Sequence, residues 1–256
     1  MEVEPQEELK PDSTNLTIEI KNLHKTFGKD NHVLKGINLT VNKGEDLVIL
    51  GKSGTGKSIT IKCIVGLITA DKGEIRVLGE DITTLSTQDL NKIRVKVGFL
   101  FQNAALYDSM SVRENLDFTL RRHFKNLSEN EINAEIDEVL ESVGLLEAID
   151  KMPSELSGGM RKRIGLARTL ILKPEIILYD EPTTGLDTIT SKEISELILR
   201  IQKERKTSSI IITHDMACAK MTADRIMILK DGVIHAEGTY TELENSDDEW
   251  IRSFFI

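Results

Sequence analysis

Apolar and polar residues alternate at Leu16, Ile18 and Ile20, the period-two pattern of a strand with one covered face. Residues 36–41 form a second strand-like piece after a turn predicted near 28–31, so the chain is expected to open on a small antiparallel sheet. Five later runs are unbroken and apolar, at 47–50, 97–101, 176–179, 210–213 and 226–229. Runs of this kind predict strands covered on both faces. Helical stretches lie between several of them, with capping-box patterns at Ser111…Glu114, Ser128…Glu131 and Thr190…Glu193. Strands alternating with helices predict an α/β layer on a mostly parallel sheet. Asp231-Gly232, between apolar runs, predicts a closing hairpin.

Residues 103–168 interrupt this rhythm with helical pattern and no convincing strand, and are expected to be an inserted helical subdomain. Residues 1–14 carry five acidic side chains, one lysine and two prolines, the make-up of a disordered acidic tail. The main domain is expected to span 15–243, followed by a C-terminal extension over 244–256. That extension ends on Trp250, Phe254, Phe255 and Ile256, a cluster that could dock on its own subunit or clasp a second copy.

Hydrophobic residues make up 39% of the 256 and charged residues 29%, which fits a soluble globular domain with a sizeable core. The net charge of −9 argues against a nucleic-acid partner, which would need a basic face. No apolar stretch approaches the roughly 18 residues that span a bilayer, and the N-terminus lacks a signal pattern. A cytoplasmic location is expected, with any membrane role borrowed from a partner. Cys63 and Cys218 sit in apolar segments without metal-ligand spacing and are expected to be buried free thiols.

The run at 47–50 leads into Gly51-Lys52-Ser53-Gly54-Thr55-Gly56-Lys57-Ser58 and then an apolar helical segment. This is a GxxxxGK[ST] phosphate loop in its strand–loop–helix setting. Glycines let backbone N–H groups turn toward phosphate oxygens, and the helix N-terminus adds partial positive charge. Lys57 would bridge β- and γ-phosphates and Ser58 would ligate Mg²⁺. The loop alone would serve a kinase, a GTPase or a helicase equally well. The run at 176–179 ends in Asp180-Glu181, which would place one carboxylate on Mg²⁺ and a second against the attacking water. A GTPase does not need the second carboxylate, so the pair favours ATP hydrolysis.

Leu156-Ser157-Gly158-Gly159-Met160 opens a helix, a second anion-ready N-terminus that one nucleotide does not require. Here the chain resembles the ABC ATPase family, whose signature motif this is. The resemblance implies a P-loop (RecA-like) core with antiparallel and helical subdomains, and a head-to-tail homodimer around two Mg-ATP that drives separate permease subunits. In such a dimer Ser157, Gly158 and Gly159 of one copy would cap the phosphate held by Lys57 of the other. Gln102 matches the Q-loop and a further Mg²⁺ contact, Asp187 the D-loop at the dimer interface, His214 the switch histidine on the γ-phosphate, and Phe27 the aromatic that stacks on adenine. Ile59 stands where threonine is usual and belongs to the same ATP-binding set, and Phe27 replaces the more usual tyrosine.

Within the family, residues 102–112 (Gln-Asn-Ala-Ala-Leu-Tyr-Asp-Ser-Met-Ser-Val) resemble the segment after the Q-loop of Mla-type ATPases, which move phospholipids between membranes. Met160 closing the signature motif fits the same subgroup. The resemblance implies that Leu106, Tyr107 and Met110 anchor a permease helix, that a lipid-binding substrate subunit is a possible companion, and that the protein sits peripherally on the cytoplasmic face of the inner membrane. The alternatives are an iron–sulfur assembly ATPase, whose signature carries an acidic residue where Met160 stands, and another small-molecule transporter.

Overall fold

The computed structural model describes residues 15–255; the predicted tail over 1–14 and Ile256 lie outside that range. The first strands are β1 (Leu16–Phe27), β2 (Asn31–Asn42) and β3 (Asp46–Leu50), followed by α1 (Lys57–Ile64), β4 (Lys72–Val77), β5 (Glu80–Asp81), α2 (Thr87–Lys96) and β6 (Val97–Leu100). Three helices come next, α3 (Val112–His123), α4 (Glu129–Ser142) and α5 (Gly158–Leu170). The chain then forms β7 (Ile176–Asp180), α6 (Thr188–Arg205), β8 (Ser208–Ile212), α7 (Met216–Thr222), β9 (Arg225–Lys230), β10 (Val233–Gly238), α8 (Tyr240–Glu244) and α9 (Glu249–Arg252).

Two sheets result. One is antiparallel with order β2-β1-β4-β5; the other runs β10-β9-β3-β8-β7-β6, parallel except for β10. The central strands of the second sheet divide their side chains between two cores. Val48, Leu50, Ile177, Tyr179, Ile211, Ile226 and Ile228 face the core shared with the helices. Leu47, Ile49, Ile176, Leu178, Ile210, Ile212, Met227 and Leu229 face the core shared with the antiparallel sheet. A strand has period two, so a two-faced burial demands an unbroken apolar run. Each such side chain contributes about 1.5–3 kcal/mol of burial.

Local signals set most boundaries. Ser111 and Ser128 close reciprocal capping boxes with Glu114 and Glu131. The box expected at Thr190 and Glu193 does not form, because α6 starts earlier: the Asp187 carboxylate accepts from the Ile189 and Thr190 amides and takes the cap. Asp231 and Gly232 both adopt positive φ (50° and 86°), the twist a two-residue hairpin needs between β9 and β10. Among the described residues, none between 103 and 168 is in a strand. α8 crosses the 243/244 boundary, and Leu243 and Ile251 join the helix-side core with Trp250, Phe254 and Phe255 packed against it. The described members of the terminal cluster pack on their own chain: Trp250 meets Phe254, His235 and Lys230, and Phe255 meets Tyr240.

Cys63 and Cys218 are free and buried. Among the described residues, no helix is long and apolar enough to cross a membrane.

Candidate nucleotide site

β3 sits between β9 and β8, so the loops leaving β3, β7 and β8 open on one edge of the sheet. The loop after β3 is tightly packed beneath. A Cβ at Gly51 would meet the Leu229 carbonyl oxygen at 2.5 Å, and one at Gly56 the Leu34 side chain at 2.6 Å. Gly56 also has φ +105° where α1 begins, a conformation that favours glycine. Inside the loop the buried Lys57 ammonium donates to the carbonyls of Gly51 (2.7 Å) and Lys52 (3.1 Å). Burial pushes its pKa below the ordinary lysine value, with Glu181 and Asp180 opposing the fall.

Ser58 Oγ donates to Asp180 Oδ1 at 2.7 Å, joining the first turn of α1 to the end of β7. A hydroxyl and a carboxylate in contact are hard oxygen donors suited to Mg²⁺, which takes one or two protein ligands and completes its shell with phosphate and water. Among the described residues no group of three or more His, Cys, Asp or Glu could hold a metal. The donor set fits magnesium, which Ser58 and Asp180 would hold, and Gln102 opens on the adjoining cavity.

Glu181 is held from several directions. Its Oε2 accepts from His214 Nδ1 at 2.7 Å and from Thr184 Oγ1 at 3.1 Å. Its amide donates to Ile212 in β8 at 2.9 Å, and its carbonyl accepts from Lys162 Nζ at 2.9 Å. The residue has φ +54°, in the left-handed region, which costs about 1–3 kcal/mol for a non-glycine. Lys162 is buried, and burial pushes its pKa down to about 8 against the opposing pull of Glu181 and Asp180.

Lys57, Ser58, Glu181 and His214 open on a cavity of about 780 Å³, while Asp180 and Lys162 sit behind its wall and reach it only through Ser58 and Glu181. Phe27, Gly51, Ser53, Gly54, Gly56, Lys57, Ser58, Ile59, Gln102, Glu181 and His214 all line it. Thr55 lines a neighbouring cavity beside Trp250 instead. The expected signature residues do not join the set: Ser157, Gly158, Gly159 and Asp187 lie outside the cavity of their own chain. They share a different surface, where a Cβ at Gly159 would meet Thr190 of α6 at 2.5 Å and where Ile189 is 74% exposed. Leu106, Tyr107 and Met110 lie on the helical subdomain. Tyr107 is exposed and packs edge-on to Phe118, with Arg168 over its ring. Leu106 turns partly into the chain's own core, and the buried Asn115 ties down the Tyr107 and Met110 backbone.

Phe254 and Thr184 line the cavity although the sequence does not assign them to the nucleotide site, and the same holds for Lys162, which touches Glu181. For Phe254 the terminal aromatic cluster was a signal without an address.

A glycine-rich phosphate cradle after a central parallel strand, hydrogen-bonded through Ser58 to the end of a strand that carries two carboxylates, defines a P-loop nucleoside triphosphatase. The ABC transporter family model matches residues 34–184. The chain belongs to that family, as an ATP-binding and ATP-hydrolysing cassette. It is 38% identical over 258 residues to Protein TRIGALACTOSYLDIACYLGLYCEROL 3, chloroplastic, of Arabidopsis thaliana, covering 94% of this chain and 74% of that one. It is 41% identical over 238 residues to the intermembrane phospholipid transport system ATP-binding protein MlaF of Haemophilus influenzae, covering 93% and 89%. The methionine import ATP-binding protein MetN of Campylobacter jejuni matches at 37% over 241 residues, covering 88% and 71%. A solved dimeric, post-hydrolysis ATP-binding cassette bound to ADP and Pi superposes with a TM-score of 0.80 at 32% identity, over 87% of this chain and 98% of that one.

Proposed function

We propose that two copies of this chain close head to tail around two Mg-ATP and drive the permease of an Mla-type phospholipid transporter. The observation that carries the dimer is the separation of two anion-ready helix N-termini. The one at Lys57 lines the cavity, whereas the one at Ser157 lies outside it with its cap exposed, where a phosphate held by another copy could meet it. In this reading the loop amides and Lys57 grip the phosphates, Phe27 stacks on adenine, and Ser58, Asp180 and Gln102 hold Mg²⁺. The cation would neutralise charge developing between the β- and γ-phosphates. Glu181 takes a proton from the water that attacks γ-phosphorus as the bond to ADP breaks, leaving ADP and phosphate. His214 orients that carboxylate and meets the γ-phosphate. Because both copies grip the γ-phosphate, ATP favours the closed pair and ADP does not.

The permease would dock at Tyr107 and Met110, on the exposed aromatic face beside Phe118. The phospholipid reading rests on the Leu106–Met110 segment, on Met160 and on the likeness to the intermembrane phospholipid ATPase. It places the protein peripherally on the cytoplasmic face of the inner membrane, with a lipid-binding subunit in the assembly. Comparable identity to a methionine import cassette favours a second reading, a small-molecule importer.

Glu181→Gln tests the ATPase reading: it should trap an MgATP-dependent dimer, seen by light scattering, while nearly abolishing phosphate release. A variant that stays monomeric with MgATP, alone and with its permease, overturns it. Isolation of the complex with its permease and mass analysis of bound lipid tests the cargo; phospholipid at stoichiometric level is expected, and bound amino acid without lipid favours the importer.

A further inference from the structure

Lys162 lies one turn into α5, the helix that Ser157 caps by accepting from the Met160 amide at 3.2 Å. Its side chain runs inward and the residue is 6% exposed. A buried ammonium is unfavourable unless it is hydrogen-bonded, and the partner here is the Glu181 carbonyl oxygen at 2.9 Å. That carbonyl belongs to the peptide joining Glu181 to Pro182. A residue before proline is driven toward extended backbone by clash with the proline ring, yet Glu181 sits at φ +54°. Relaxation would turn the Glu181 backbone toward the extended region and swing its carboxylate from His214 and Thr184. The bond from the Glu181 amide to Ile212 fixes only one side of the residue. Lys162 fixes the other.

We propose that Lys162 is a positioning residue for hydrolysis, holding the Glu181 peptide in its strained conformation and so tying the signature helix to the carboxylate that faces the water. It does not line the cavity and acts through Glu181. The consequence is a mechanical link across the assembly. α5 carries Ser157, which addresses the partner's phosphate, and the same helix governs the base in its own copy's cavity. The inference rests on the proposed roles of Glu181 and Ser157.

Lys162→Met keeps length and removes the donor; Lys162→Arg keeps a donor. Lys162→Met should lower kcat by about 100-fold, the scale of a small misplacement at a reacting centre, with KM for ATP within about twofold of the parent. Lys162→Arg should recover most of the rate, and Lys162→Met/Glu181→Gln should still form the MgATP-trapped dimer. If Lys162→Met fails to fold, Lys162→Gln is read by the same criteria. Parental kcat in the Met variant overturns the inference. So does equal loss in the Met and Arg variants with raised KM or loss of the trapped dimer, which marks a purely structural lysine. Failure of Glu181→Gln alone to trap a dimer sinks the proposed function instead, so the two failures are distinguishable.

Discussion

His214 Nδ1 donates to Glu181 Oε2 at 2.7 Å, a contact between the ends of two adjacent parallel strands, β8 and β7. The carboxylate is 14% exposed and the imidazole 67%, so the histidine closes the solvent side of an otherwise sheltered acid. His214→Ala should lower steady-state phosphate release by about 100-fold or more, the scale of a lost proton-transfer or orienting partner. ATP affinity, followed by titration with a fluorescent analogue, should change only a few-fold.

Ser58 and Asp180 are hydrogen-bonded and are the proposed holders of magnesium. Ser58→Ala should weaken MgATP binding while leaving metal-free ATP binding in EDTA close to parental. Calorimetric titration with and without Mg²⁺ separates the two; equal losses in both would show that Ser58 serves the phosphates and not the cation.

Ser157 is exposed and lies outside its own cavity. Ser157→Arg should abolish turnover while leaving nucleotide binding to the monomer nearly intact. Equal loss of both activities would argue against a site shared between copies.

Phe27 and Phe254 both line the cavity, from the end of β1 and from the segment after α9. Phe27→Ala should raise the Kd for ATP by about 2- to 12-fold, the equivalent of 0.5–1.5 kcal/mol for an aromatic contact. Phe254→Ala should give a smaller rise in the same direction. A parental Kd in Phe254→Ala would show that this ring only closes the wall.

Asp46 lies at the opposite end of β3, where Ser209 donates to its carboxylate. Burial pushes its pKa up to about 7, with Ser209 opposing and Asp224 and Glu45 adding to the rise. The folded state therefore holds the proton more tightly than the unfolded chain. The stabilisation is complete below the ordinary value near 3.8 and is lost as pH rises to about 7, by about 1.4 kcal/mol per pH unit. Urea unfolding between pH 4.5 and 8 should show this slope, and Asp46→Asn should flatten it and raise stability at pH 8.

The central strands were readable because burial on both faces forces unbroken apolar runs, as in β7 and β8. α2 was not readable: none of its residues is fully buried, and only Leu90 and Ile93 pack partly against the core, too few apolar positions to mark a helical face. Thr190 misled because a capping box is a local pattern, and Asp187 three residues earlier offers the stronger cap. The phosphate loop was legible for the opposite reason, since its chemistry is contiguous. The bond from Lys162 to Glu181 joins a helix to a strand end 19 residues away, and no spacing rule connects those elements. Phe254 reaches the cavity only through the packing of α8 and α9 on β10 and the core.

Cys63 and Cys218 are each 1% exposed, and burial pushes both thiols up to about 11. Near neutral pH neither offers an accessible thiolate, so maleimide dyes should pass over the native protein. A single cysteine introduced at the outward-facing Ile189, for example, would be the only labelled position. Fluorescence between two such dyes then gives a real-time gauge of one copy approaching another, without first stripping the chain of its own sulfur.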